Sequence, residues 1–136
     1  MILVDTGPLV ALFDPRDAEH ASCRTTLQTI RDQLVTTVPV LTEAFHMLGP
    51  ASRGSRNLRL FVQRGGLSVW FMDPSGVQRA FELMEQYADH PMDLADASLL
   101  VAEALPAYSI FTVDRQDFAT YRVRRGHRLE SLQMLF

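Results

Sequence analysis

The chain of 136 residues contains no lysine, and all 13 of its basic residues are arginine. Without lysine there is no group for a Schiff base, for a pyridoxal cofactor or for a phosphate-binding P-loop. The single cysteine, Cys23, cannot by itself form an internal disulfide or a zinc site. These absences remove several classes of enzyme before any motif is considered.

Long apolar runs are also missing, and no run approaches the roughly 20 residues that a membrane span needs. No basic stretch precedes the first apolar run, so we predict no secretory signal, no membrane partner and a cytoplasmic location. Hydrophobic residues make up 47% of the chain, which excludes a mainly disordered polypeptide. The length predicts one domain over residues 1–136.

Short apolar runs alternate with helical patterns along the chain. Strands are predicted at 2–5, 34–38, 67–71 and 109–113, with a last one within 129–136. Helices are predicted, among others, at 17–33, 40–48, 55–63 and 93–105. Strands separated by helices indicate a parallel sheet covered on both faces, and such sheets bind ligands at the carboxyl ends of their strands.

Two of the predicted strands end in aspartate, and this places both carboxylates at the same edge of the sheet. Asp5 ends the first strand and Asp114 ends the fourth. An aspartate after a strand can equally start a turn or cap a helix. Each residue taken alone is therefore open to both interpretations.

Further acids lie in two predicted helices. Glu43 lies in a helix that is apolar almost all round, so we expect this glutamate to be buried and to need a partner or a cation. Asp93 and Asp96 lie in the first turn of another helix, where one acid is enough to cap the free amides. We expect Asp93 to be the cap and Asp96 to be the functional acid.

A shared pocket for these acids requires positive charge. Two carboxylates about 4 Å apart repel by about 4 kcal/mol at an effective dielectric constant near 20. The chain has no lysine, and no arginine lies close in sequence to Asp5, Glu43 or Asp96. Oxygen ligands without a cysteine or histidine motif favour Mg²⁺ or Mn²⁺ over zinc.

The ordered set of acids resembles the PIN domain, and in particular the VapC-type toxins of bacterial toxin–antitoxin pairs. Four segments carry the resemblance: DTGPLVALF, PVLTEAF, DLADASLLVAEA and TVDRQDF. The resemblance covers essentially the whole chain. It implies a three-layer α/β/α sandwich with a central parallel sheet and Mg²⁺- or Mn²⁺-dependent cleavage of RNA. Transferred position by position, the catalytic and metal-binding residues would be Asp5, Glu43, Asp96 and Asp114.

The same resemblance implies supporting residues and partners. Thr6 and Thr112 match polar positions of the motifs, and Asp117 matches a second acid near the last motif. Asp93 matches no position that can be transferred, so its role stays open. A homodimer and a small antitoxin protein that plugs the acidic cleft are also implied.

An RNA substrate needs positive charge for its phosphates, and arginine suits phosphate oxygens. We predict that Arg53, Arg56 and Arg59, which lie in a stretch without acids, contact RNA. A solvated helix face is an equally good interpretation of them.

Two other classes of protein compete with a ribonuclease. Receiver domains and aspartate-based phosphatases also place aspartates at strand ends, but both use a lysine near the site, which this chain lacks. A PIN-like module that binds RNA or a protein without cutting is the second alternative. The presence of all four acids favours the metal-dependent ribonuclease. The resemblance to VapC-type toxins implies that it acts as the toxin of a toxin–antitoxin pair.

Overall fold

The structure is a computed structural model, and it describes residues 1–102 and 105–136. The strands are β1 (Ile2–Val4), β2 (Leu34–Thr37), β3 (Ser68–Trp70), β4 (Ser109–Phe111), β5 (Val123–Arg125), β6 (Arg128–Glu130) and β7 (Gln133–Leu135). The helices are α1 (Thr6–Phe13), α2 (His20–Thr29), α3 (Val38–Leu48), α4 (Arg53–Gln63), α5 (Pro74–Gln86), α6 (Leu94–Val101) and α7 (Arg115–Thr120).

Five strands form one parallel sheet in the order β3-β2-β1-β4-β7. β1 lies at the centre, where Leu3 pairs with Val35 on one side and with Ile110 on the other. Every residue of β1 and β2 is buried, as expected where helices cover both faces of a parallel sheet. The predicted α/β/α sandwich with a central parallel sheet is confirmed.

The C-terminal region differs from its prediction. The segment 129–136 holds the predicted last strand, β7, but it also contains β6, which pairs with β5 in an antiparallel hairpin. The hairpin turns at Gly126, whose φ of 61° suits glycine best. Its strands have only three residues each, too few to show an alternating pattern in the sequence.

Two helices also begin or end at residues other than those predicted. The helix predicted at 17–33 is shorter, because the Asp17 carboxylate accepts the Glu19 amide in a turn before α2 and the backbone is extended at Ile30. The helix predicted at 93–105 ends as an α-helix at Val101, and positions 103–104 of that prediction lie outside the described residues.

Two contacts bring the helices to the carboxyl edge of the sheet. The hydroxyls of Thr37, the N-cap of α3, and Ser98, in α6, lie 2.5 Å apart and are both buried. Gly7, in the first turn of α1, lies so close to Val113 that an added Cβ would approach its Cγ2 to 2.3 Å. In the described part of the chain, no helix has the length and apolarity required to traverse a bilayer.

Candidate active site

Asp5 directly follows the central strand and is buried, with 6% of its surface exposed. Its Oδ1 accepts a hydrogen bond from the backbone amide of Thr6 at 2.7 Å, so Asp5 is the N-cap of α1. Its Oδ2 accepts the Thr112 hydroxyl at 2.9 Å. Burial outweighs these hydrogen bonds and raises the pKa of Asp5 from 3.8 to about 6.

Asp114 is held differently from its prediction. β4 ends at Phe111, so Asp114 lies three residues beyond the strand and not at its end. Its backbone amide donates to the Thr112 hydroxyl at 2.9 Å, and its Oδ1 accepts the Asp117 amide at 3.0 Å as the N-cap of α7. Burial, followed by the interaction with Asp117, raises the pKa of Asp114. Thr112 thus ties Asp5 and Asp114 together.

The first turn of α6 contains a reciprocal capping pair. Asp93 is the N-cap, as predicted, and its Oδ1 accepts the Asp96 amide at 2.8 Å. The Asp96 carboxylate reaches back to the Asp93 amide at 3.4 Å. Burial and the neighbouring charges of Asp93 and Asp5 raise the pKa of Asp96 to about 8. The sequence did not indicate that Asp96 also takes part in capping.

Glu43 lies on α3 and is half-buried, not buried as expected. Only Val40 and Ala44 of this helix are buried, because one side of α3 faces solvent. Burial, followed by the charge of Asp93, raises the pKa of Glu43, whereas the nearby Thr6 hydroxyl lowers it. That buried hydroxyl favours the charged carboxylate, but it makes no hydrogen bond of standard geometry in the structure as described.

These side chains line one cleft of about 520 Å³ at the carboxyl edge of the sheet. Its acidic lining residues, which we call the acidic cleft, are Asp5, Glu43, Asp93, Asp96, Asp114 and Asp117. Thr6 also lines the cleft, whereas Thr112 is fully buried and contacts it through Asp5. The four acids of the predicted site are therefore brought together.

Positive charge near the acidic cleft is scarce. No arginine of residues 1–102 and 105–136 lines the cleft, and its Asp117 Oδ1 forms a hydrogen bond with His90 Nε2 at 2.6 Å. Sequence reasoning missed His90, which lies 27 residues from Asp117 and belongs to no motif. Only the packing of the segment before α6 against α7 brings the pair together.

The predicted RNA-binding arginines lie elsewhere. Arg53, Arg56 and Arg59 are exposed on α4, and none of the three lines the acidic cleft. Arg53 lines a separate hollow of about 250 Å³ together with Asp14 and Asn57. Contact between RNA and these three arginines stays a prediction.

The side chains of the cleft carry the oxygen ligands that divalent cations prefer, although they do not form a complete coordination site. No set of three or more His, Cys, Asp or Glu side chains is already arranged to hold a metal ion in the described ranges. The carboxylates of Asp5, Asp93 and Asp114 instead accept helix amides. A carboxylate that accepts one amide keeps further lone pairs, and crowded acids with raised pKa values favour an added cation.

The chain is similar to known proteins in both sequence and fold. No protein-family model matches the chain. Ribonuclease VapC26 of Mycobacterium tuberculosis is 28% identical to it over 134 residues, which span 93% of this chain and 96% of that protein.

Two solved structures share the fold. The Mycobacterium tuberculosis toxin VapC20, described as cleaving the sarcin–ricin loop, superposes with a TM-score of 0.80 at 18% identity, covering 88% of this chain and 94% of that one. A toxin–antitoxin complex from Klebsiella pneumoniae gives 0.67 at 19% identity, covering 88% and 92%. The chain has the α/β fold of these two structures. The predicted resemblance to PIN-domain toxins of the VapC type is confirmed.

Proposed function

We propose that the protein is a divalent-metal-dependent ribonuclease that acts as the toxin of a toxin–antitoxin pair. The observation that carries the proposal is the acidic cleft, where six carboxylates line one surface at the carboxyl edge of the sheet. Its similarity to Ribonuclease VapC26 over nearly the full length of both chains supports RNA as the substrate.

Asp5, Glu43, Asp96 and Asp114 are the residues that would hold Mg²⁺ or Mn²⁺. The bound metal would activate a water molecule and stabilise the charge on the scissile phosphate. The buried Thr112 hydroxyl links the Asp5 carboxylate to the backbone amide of Asp114. Asp96 and Glu43 approach from α6 and α3, and Thr6, the first residue of α1, lies next to Glu43.

The protonation of these carboxylates links metal binding to pH. Asp96, whose pKa is raised to about 8, holds a proton near neutral pH, and Asp5 releases its own near pH 6. The carboxylates must lose these protons before they bind a cation. Cation binding should therefore become stronger as the pH rises over this range.

A nuclease assay tests the proposal. Purified protein is incubated with total RNA and short single-stranded RNA in Mn²⁺, in Mg²⁺ and in EDTA. We expect cleavage in the divalent metal ions and none in EDTA. Absence of metal-dependent cleavage would contradict the proposal and favour the alternative of a PIN-like module that binds RNA or protein without cutting.

The proposed partner is a small antitoxin protein, an idea supported by the fold shared with the toxin–antitoxin complex from Klebsiella pneumoniae. Co-expression with any small protein that is encoded beside this chain, followed by affinity purification of the pair, tests it. The homodimer stays a prediction, which light scattering of the purified protein checks.

A further inference from the structure

We propose that His90 is a positioning residue for the acidic cleft, acting through Asp117 on Asp114. The inference rests on the proposed metal-dependent function and deepens it. Asp114 needs such a residue because the strand before it ends three residues earlier, so the rigid sheet does not hold its side chain. What holds it is a chain of hydrogen bonds across two segments of the fold.

The chain of contacts begins at Asp114. Its Oδ1 accepts the backbone amide of Asp117 at 3.0 Å. The carboxylate of Asp117 in turn accepts a hydrogen bond from Nε2 of His90, with 2.6 Å between Nε2 and Oδ1, because an ionised carboxylate can only accept. His90 therefore fixes the residue whose amide fixes Asp114.

His90 is itself anchored to the core. Its backbone amide donates to the Tyr87 carbonyl at 2.9 Å. Its ring meets the Tyr121 ring edge-on, with centroids 5.7 Å apart. Tyr121 is 1% exposed, and its hydroxyl donates to the Pro91 carbonyl. The segment before α6 and the helix α7 are thus joined at this point.

The location of the pair gives it a consequence for the cleft. Asp117 lines the acidic cleft while its Oδ1 is bonded to His90. Its side chain keeps 27% of its surface exposed and that of His90 keeps 40%, so the bond is open to solvent on one side. Outer partners that orient ligating side chains commonly change metal affinity by roughly 10- to 100-fold when lost.

Two substitutions separate the hydrogen bond from the ring packing. His90→Phe keeps a ring against Tyr121 and removes the donor to Asp117. His90→Gln keeps an amide donor near the position of Nε2 and removes the ring. If His90 positions Asp117, His90→Gln should retain Mn²⁺ binding and His90→Phe should lose it. If His90 acts only by ring packing, the opposite is expected. His127→Gln, at an exposed histidine of the β5–β6 turn, is the control.

The readout is Mn²⁺ binding to the purified full chain, followed by electron paramagnetic resonance of free Mn²⁺ and by the metal-induced shift in melting temperature. We expect His90→Phe to weaken binding by roughly 10-fold or more. His90→Gln and His127→Gln should stay within about 3-fold of the wild type. In an Asp117→Ala background, His90→Phe should have no further effect.

The outcomes are distinguishable. Wild-type binding in His90→Phe, or equal losses in the Phe and Gln variants, overturns the inference while the proposed function stands. A wild-type protein that binds no Mn²⁺ contradicts the proposed function and the role of His90 together. If His90→Phe does not fold, His90→Asn, one methylene shorter than Gln, replaces it in the comparison.

Discussion

Three aspartates of the acidic cleft are also helix caps. Asp5, Asp93 and Asp114 each accept an amide at the start of α1, α6 and α7. The N-terminus of a helix carries partial positive charge, which offsets part of the mutual repulsion of these carboxylates. The N-termini of these three helices therefore balance part of the negative charge that a bound cation would neutralise.

Asp5→Asn tests the residue at the centre of the cleft. Asparagine caps helices about as well as aspartate, so we expect the fold and α1 to remain intact. Loss of the charge should reduce metal-dependent RNA cleavage by about 100-fold or more, because a proposed ligand is removed outright. Circular dichroism checks the fold and the nuclease assay checks the activity. Cleavage at the wild-type rate would contradict the assignment of Asp5.

The stability of the metal-free protein should depend on pH through Asp5. Its pKa lies near 3.8 in the unfolded chain and about 6 in the folded protein, so the folded state binds the proton more tightly. Folding stability therefore falls as pH rises from below about 4 to above about 6, by on the order of 3 kcal/mol in total. The raised pKa of Asp96 extends the same trend to higher pH.

Denaturant unfolding in EDTA at about pH 4 and about pH 7 measures most of this difference. The wild type should be more stable at the lower pH, and Asp5→Asn should show a smaller difference between the two. A stability that rises over this range in the wild type would show that the carboxylates of the cleft do not dominate its pH dependence.

At the scale of elements, the approach of α1 to the loop before α7 fixes the cleft. A side chain at Gly7 would collide with Val113, the residue immediately before Asp114. We expect Gly7→Ala to displace this loop and to weaken Mn²⁺ binding beyond its effect on stability. The double variant Gly7→Ala/Val113→Ala removes the colliding methyl groups and should restore binding.

Gly54→Ala, in α4, is the matched control for Gly7→Ala. Its Cβ would come within 2.5 Å of the Phe13 carbonyl oxygen, where α4 meets the end of α1 and away from the acidic cleft. It should lower the melting temperature while the protein that remains folded binds Mn²⁺ normally. Equal Mn²⁺ binding in Gly7→Ala and wild type would contradict the role assigned to this contact.

Helix α4 provides a separate test of the RNA contact. Arg56 and Arg59 are exposed there. If they contact phosphates, Arg56→Ala and Arg59→Ala should each weaken RNA binding and reduce the slope of log K against log salt by about 0.7 to 1. Binding is measured with Asp5→Asn as the background, to prevent cleavage. An unchanged slope in both variants would indicate a solvated helix face.

The sequence was sufficient to predict the elements whose patterns are local. The buried runs of β1 and β2 and the cap at Asp93 were correct because hydrophobic periodicity and capping act over a few residues. The predictions that Glu43 is buried and that Asp114 ends the fourth strand were wrong. His90 was missed because its partner is distant in the chain, and only tertiary packing brings it to Asp117.

For the whole molecule, the acids share one cleft although they lie more than 100 residues apart at the extremes. The parallel sheet accounts for this convergence, because β1 and β4 are neighbours and their carboxyl ends meet at one edge. The account depends on the gathered carboxylates binding a divalent cation that relieves their repulsion.

The most direct test is a Mn²⁺ titration of the wild type and Asp5→Asn near pH 7.5, followed by melting temperature. Bound metal stabilises the folded state by an amount that grows with metal concentration. We predict a clear, saturable rise in melting temperature for the wild type and a much smaller one for Asp5→Asn. Equal shifts in the two proteins, or no shift at millimolar Mn²⁺, would contradict the account.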